Sequence, residues 1–497
     1  MKGTHSLPKG ALLSGSAKIL GKVIGFVSTL ILARLLTPAD FGLIAAVSVV
    51  LYLFDVLGNA ATEQYIMQIQ RLRANDLTTA WTINLLLKSM LALLLAVLSP
   101  WVAAILNKPE ITLAIAVSAL VLPLTALKSR SLLQLKRQIR YEGLFWLALV
   151  EKLAAFATVL IGALVLKSYW AFIFADLVSS VVAVAFSYLW FGKGPRFTLA
   201  CWRQQLRFSS WMMGKNLIGY LRSQIDTVLV SRYFSASILG QYHLSRDLAM
   251  MPGHYILSPA VEPVLSSLRN SVDRRHDQFR QVSAILVLTF LLTLPLAFFF
   301  GSFGSEVARV VLGVQWKMAG PLLGILAWLL VYWGCVYVIE LPLIASGRVR
   351  ALFWFDALSL AVVSLTLYVA LKYNAGINEF ALYRVAAGVM TTILLIAYVY
   401  HRHLAFAIEV LGWGLVIGLS AFLSANLSEA CLNLLEFSAQ TEDLAETTIQ
   451  LSVASVVYAL SYLGLIILVF SLDKKTSTGA EIRGWAIQLV EHYGKQA

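Results

Sequence analysis

Long apolar stretches, separated by short polar segments, recur along the chain from residue 11 to residue 471. A bilayer core takes about 20 apolar residues of α-helix. Fourteen such spans are predicted, over 11–35, 41–65, 78–105, 111–127, 143–166, 170–191, 209–233, 239–264, 282–303, 319–345, 353–371, 379–401, 405–425 and 448–471. The second and eighth carry enough polar residues to be missed by hydropathy alone. The pattern predicts an all-α polytopic membrane protein.

Composition agrees: of 497 residues, 59% are hydrophobic and 13% charged, with a mean hydropathy of +0.78. Average soluble domains are about 25% charged, so an ordinary cytosolic enzyme, a disordered scaffold and a disulfide-stapled module are excluded. Cys201, Cys335 and Cys431 are far apart and show neither metal-ligand nor redox spacing. In so apolar a chain the net charge of +13 points to basic loops on an anionic leaflet rather than to nucleic acid.

Numbering the loops alternately from a cytoplasmic N-terminus puts 24 Lys and Arg on the inner side and 7 on the outer, with the other eight of 39 inside spans. This positive-inside bias also puts the C-terminus inside. The longest outer loop, about 424–447, has five acids, Glu429, Glu436, Glu442, Asp443 and Glu446, and no Lys or Arg. The first span is too long for a cleavable signal and carries Lys18 and Lys22. The tail 472–497 places Ile482, Trp485, Leu489, Val490 and Tyr493 at helical spacing, as an interfacial helix does.

The segment 29–42 aligns without a gap on 227–240, an offset of 198 residues that pairs Arg34 with Arg232, Gly42 with Gly240 and, upstream, Gly21 with Gly219. Six spans separate the copies, so both halves enter the membrane in the same sense. The predicted organisation is an N-terminal lobe over 1–200, a C-terminal lobe over 201–403, two further helices over 404–471 and a cytoplasmic tail over 472–497. Parallel repeats of this kind are built to rock about a site between them.

Three segments carry a family resemblance: Arg-Leu-Leu-Thr-Pro-Ala-Asp-Phe-Gly at 34–42, Leu-Gly-Gln-Tyr at 239–242, and Gly-Val-Gln-Trp-Lys-Met-Ala-Gly-Pro-Leu-Leu at 313–323. They resemble Wzx-type polysaccharide and lipopolysaccharide flippases of the multidrug/oligosaccharidyl-lipid/polysaccharide exporter superfamily. The resemblance extends through the first twelve spans. It implies transfer of an undecaprenyl-pyrophosphate-linked oligosaccharide from the inner to the outer leaflet of a bacterial cytoplasmic membrane, for exopolysaccharide or lipopolysaccharide assembly. It also implies a monomer working beside glycosyltransferases and polysaccharide polymerase or export machinery.

Lys18, Lys22, Lys88, Lys215 and Arg222 lie within predicted spans. Facing lipid they would together oppose insertion by about 10–15 kcal/mol, so they are expected to face protein or water. Lys18, Gly21, Lys22, Gly25 and Ser28 share one helix face, and Lys215, Gly219, Arg222 and Asp226 form a stripe on the repeat-equivalent helix. Both are expected to line one cationic cleft, where amines and a planar guanidinium replace the water around a pyrophosphate. The expected substrate-binding residues are Lys18, Lys22, Lys88, Lys215, Arg222 and Arg246. Asp55, Asp226 and Asp247 are expected to pair with these cations or to bind a coupling ion. Asn59, Thr62 and Glu63 share the face of Asp55, and His243 and His254 that of Asp247. Tyr220 and Tyr242 are candidates for stacking on sugars.

A multidrug exporter of the same superfamily is the first alternative, disfavoured because organic cations need an anionic pocket. A membrane-embedded polymerase or ligase is the second. No His-Glu-x-x-His run, Walker loop or Gly-x-Ser-x-Gly elbow occurs in the chain, so neither cofactor, metal nor ATP hydrolysis is expected. The energy then comes from an ion gradient, the membrane potential or consumption of the flipped substrate.

Overall fold

The computed structural model describes residues 6–476 except 60–61, 70–71, 139–140, 193, 195, 262–274, 347, 402–403, 436–442 and 474–475. The predicted interfacial helix of the tail lies outside the described residues. Among those described, every regular element is helical. The chain divides by its contacts into two units, 1–243 and 244–497.

The first unit holds α1 (Ser6–Leu35), α2 (Pro38–Gly58), α3 (Thr62–Gln68), α4 (Ala74–Ile105), α5 (Thr112–Ser118), α6 (Val121–Leu127), α7 (Ser131–Arg137), α8 (Tyr141–Leu166), α9 (Trp170–Phe191), α10 (Trp202–Tyr233) and the first turns of α11 (Ala236–Pro252). In it α1 packs on α8, α8 on α9, α4 on α5 and α6, and α10 across α2, α3 and α4.

The second unit continues α11 and adds α12 (Ser258–Val261), α13 (Arg275–Val311), α14 (Ala319–Leu326), α15 (Trp328–Ala345), α16 (Val349–Lys372), α17 (Ile377–Tyr400), α18 (Leu404–Leu434) and α19 (Leu444–Leu472). Its hub is α13, against which α14, α15, α18 and α19 pack. Two contacts explain that role. Where α13 meets α14, a Cβ on Gly304 would stand 2.7 Å from the Gly320 carbonyl, and one on Gly320 would stand 2.5 Å from Ser305 Cα, so small residues let the backbones touch. Further along α13, Pro295 cannot donate to the Leu291 carbonyl one turn back. The Tyr462 hydroxyl on α19 donates to it instead, at 3.1 Å, and Tyr458 donates to the Pro295 carbonyl at 2.7 Å.

Eleven helical segments among the described residues are long and apolar enough to cross a membrane, so the chain is a multi-pass membrane protein. The first, seventh and eighth predicted spans fall on α1, α10 and α11, which are not among the eleven. Two predicted spans differ in shape from a single helix. The second ends at Gly58 with Asn59 as its C-cap, and Thr62 and Glu63 open the separate α3. The eighth passes at Pro252 into a π-helical turn, Gly253–Leu257. Such a turn rotates everything after it relative to the α-helical stripe, and His254 rests edge-on against Trp333 at 4.9 Å.

Candidate functional site

The repeat is visible in the first unit as a reciprocal contact. Thr37 caps α2, accepting from the Asp40 amide at 3.3 Å, while Asp40 Oδ2 accepts from the Thr37 amide at 3.1 Å and Pro38 opens the first turn. This is a capping box with proline where no donor is needed. At the equivalent start of α11, Ser235 accepts from the Ile238 amide at 3.3 Å. The two helix starts then meet. A Cβ on Gly42 would stand 1.8 Å from the Ala236 carbonyl oxygen, and one on Gly240 the same distance from that of Pro38. Pro38 and Ala236 are themselves 198 residues apart, so each glycine touches the repeat equivalent of its own neighbour, the pattern of a two-fold axis.

Neighbouring polar contacts brace this crossing. Asp40 Oδ1 accepts from the Tyr169 amide at 3.0 Å, the Lys108 ammonium donates to the Phe234 carbonyl at 3.1 Å, and Arg232 donates to the Ile105 carbonyl. Lys108 is buried, at 4% exposure. Burial lowers its pKa from the ordinary 10.5, against an opposing pull from Glu110.

Away from that end, Lys22, Lys215 and Arg222 are half-buried on α1 and α10. The side chain of Lys18 lies outside the described residues. A Cβ on Gly21 would stand 3.7 Å from Lys152 Cγ on α8, whereas one on Gly25, Gly214 or Gly219 meets nothing within 4 Å. The Gly21 part of the α1 stripe is therefore a packing face, and open space begins at Gly25. On α10 the Tyr220 hydroxyl donates to the Val49 carbonyl of α2 at 2.5 Å. Asp226 is fully buried, accepting from the Tyr242 hydroxyl and the Thr227 amide, both at 2.9 Å. Tyr242 has 0% exposure; the expectation that it stacks on sugars is corrected, because its ring is enclosed and its hydroxyl engaged. In the second unit Arg246 is half-buried and Asp247 exposed on α11. Arg384 is buried there against Tyr332, with a hydrogen bond of 3.0 Å.

Lys88 stands elsewhere in the first unit, in a group of ion pairs. Its ammonium donates to Asp55 Oδ1 at 2.6 Å and to Thr125 Oγ1 at 3.3 Å, and Gly58 leaves the space that its stem occupies at the end of α2. Asp55 and Glu63 do not act together: Glu63 takes both its hydrogen bonds from Lys136, at 2.9 Å. Lys128 donates to Glu151 at 3.0 and 2.8 Å, and Arg130 to Thr78 Oγ1 at 2.7 Å. Between them is a cavity of about 250 Å³ whose lining includes Glu63, Trp81, Lys88, Lys128, Arg130 and Lys136. Reading spans from sequence assigned 128–140 to a basic loop and so passed over Lys128, Arg130 and Lys136. The signal was the short apolar run of α7, which folds that loop back as a helix contacting α8, α3 and α9.

A family model described as a polysaccharide biosynthesis protein matches residues 31–321. The chain is similar to the succinoglycan biosynthesis transport protein ExoT of Rhizobium meliloti (strain 1021), with 27% identity over 308 residues, 61% of this chain and 62% of that one. It is also similar to the lipopolysaccharide biosynthesis protein WzxC of Escherichia coli (strain K12), with 23% identity over 329 residues, 64% and 65% of the two chains. These alignments span less than two thirds of the relatives' own length. Among solved structures, lipid II flippase MurJ in an inward closed conformation superposes with a TM-score of 0.68 at 16% identity, covering 92% of this chain and 100% of that one. An inward-facing multidrug resistance MATE transporter gives 0.55 at 13%, covering 78% and 95%. At such identities the likeness is one of fold.

Proposed function

Because the chain belongs to the polysaccharide biosynthesis protein family, whose model covers more than half of it, we propose that it carries a lipid-linked oligosaccharide across a bacterial cytoplasmic membrane. The cargo is an undecaprenyl-pyrophosphate-linked repeat unit, taken at the inner leaflet and released at the outer by alternating access. The chain acts as a transporter and not as an enzyme, with both termini cytoplasmic. The lobes are 1–200 and 201–403, followed by the helix pair over 404–471.

The observation that carries this reading is the set of cations within the predicted spans, Lys22 on α1 and Lys215 and Arg222 on α10, beside open space at Gly25, Gly214 and Gly219. A diphosphate leaving water needs replacement donors. An ammonium supplies a mobile point charge and a guanidinium a planar fork matched to phosphate oxygens. The fold shared with the flippase and exporter structures supports the rocking motion, and the names of the curated relatives support the cargo class. Asp55 and Asp226 lower the cost of burying their neighbours' charge. Asp226 couples transport to an ion only in a conformation that opens its buried carboxylate.

Deleting the chain is expected to make a lipid-linked glycan accumulate on the inner leaflet, where mass spectrometry of the extracted lipid identifies it. Arg222→Ala is expected to abolish polymer export while membrane-inserted protein stays at its normal level. Normal export by that variant removes Arg222 from the site.

A further inference from the structure

We propose that the cavity enclosed by Lys88, Lys128, Arg130 and Lys136 is a phosphate-binding site, separate from the α1 and α10 stripes. Four cations and one carboxylate, Glu63, are among its lining residues. The carboxylates that hold Lys88 and Lys128, Asp55 and Glu151, stand outside that lining, so the amines are backed by charge on one side and face the cavity on the other.

Three lysines matched to three acids would make a neutral structural network. Arg130 is the excess charge. Its hydrogen bond among the described residues goes to a neutral hydroxyl, that of Thr78. A guanidinium has five N–H donors in a fixed fork, so most of its donor capacity is left for an anion. Arg130 also lines an adjoining cavity of about 260 Å³ together with Arg196, which places a second guanidinium on the same approach. The wall is held in place: Trp81 is buried and its indole N–H donates to the Lys128 carbonyl at 3.0 Å, fixing the backbone from which Lys128 and Arg130 project. An ammonium cluster with a planar fork at its mouth suits phosphate oxygens, taken singly by the lysines and in pairs by the arginine. The cavity lies beside the first half of α4, where the basic segment begins after α6. With the expected orientation this is the inner-leaflet level, where the phosphate of an anionic lipid or of a soluble phosphate compound reaches it.

The test uses the full-length protein in nanodiscs. Inorganic pyrophosphate is titrated calorimetrically in phosphatidylcholine discs, and native mass spectrometry counts the phosphatidylglycerol retained from mixed discs. Arg130→Gln is expected to weaken binding at least tenfold. Glu63→Gln, which removes the acid of the lining and frees Lys136, is expected to strengthen it severalfold, a gain that a misfolded protein does not produce. Sensitivity of the pyrophosphate titration to both variants assigns a soluble phosphate, and sensitivity of lipid retention alone assigns a lipid headgroup. Binding unchanged by Arg130→Gln, or weakened alike by Glu63→Gln, overturns the site. The transport reading is tested apart from this. Unchanged lipid-linked glycan in the deletion strain removes that reading and leaves the titration as it was, whereas unaltered binding by Arg130→Gln removes this site alone.

Discussion

Lys88 shows what a charge at membrane depth requires. Its side chain is 14% exposed and that of Asp55 41%, so the pair is intermediate between a surface bridge, worth up to about 1 kcal/mol, and a buried one whose breakage costs about 3–5 kcal/mol. Lys88→Met is expected to cost about 2 kcal/mol, and Lys88→Met with Asp55→Asn distinctly less, since the orphaned carboxylate is then neutral. A double-mutant cycle on thermal unfolding in detergent reads the coupling; additive losses sink the pairing. Lys108 is the opposite case, a buried ammonium at the Gly42–Gly240 end whose pKa is lowered by burial. For a base with a lowered pKa, the proton favours the opened or unfolded form. The contribution of Lys108 to closure is therefore complete above the ordinary value of 10.5 and falls as pH drops through the lowered one. Closure is expected to tighten on the alkaline side, measured as protection of a cysteine at the buried Leu239 from a thiol reagent, and Lys108→Met is expected to flatten that dependence. Charge type and depth were legible in the sequence for Lys22, Lys88, Lys215 and Arg222. Partners were not, because they come from helices distant in the chain, Glu151 for Lys128 and Glu63 for Lys136.

At the scale of the element, the two copies of the repeat are held in register by glycine. Gly42 and Gly240 lie where a methyl group would overlap a carbonyl oxygen of the opposite helix start. Gly42→Ala and Gly240→Ala are each expected to push the crossing apart and expose a cysteine placed at Leu239, which is buried beside Gly240, to a polar thiol reagent. Because both substitutions break one contact, the double variant is expected to resemble either single one, not their sum. Equal protection in all variants contradicts the crossing. The residues of 34–42, the first segment of the family resemblance, act locally in different ways. Thr37 caps α2, Pro38 starts it and Asp40 completes the box, while Phe41 packs edge-on against Phe172 at 5.4 Å and Gly42 admits the neighbouring backbone. Identity along the chain showed that the two segments correspond. That they touch one another follows from the packing of α10 over α2, for which periodicity carries no signal. The break after Gly58 and the π-helical turn after Pro252 were hidden because a span drawn to bilayer length treats each stretch as one regular helix.

At the scale of the whole molecule, topology depends on three helices that apolarity alone does not place in a bilayer. If α1, α10 and α11 all cross, there are fourteen passages and the termini share a side; if only the eleven apolar segments cross, the termini are opposed. The charge pattern favours the first, because the separation of 24 from 7 basic residues was obtained by counting all three as crossing. The cost of α10 is reduced by packing, with Asp226 enclosed by Tyr242 and Tyr220 anchored to α2, so its polar residues are satisfied within protein and not in lipid. Single cysteines placed at Glu110, Gly194, Ser235 and Tyr373, in a chain lacking Cys201, Cys335 and Cys431, test this in intact cells. A membrane-impermeant maleimide is expected to label Glu110→Cys, Ser235→Cys and Tyr373→Cys, all at exposed positions, but not Gly194→Cys. Labelling of Ser235→Cys only after the cells are permeabilised, from the side of Gly194, means that α10 turns back before spanning, and the parallel arrangement of the two halves falls with it.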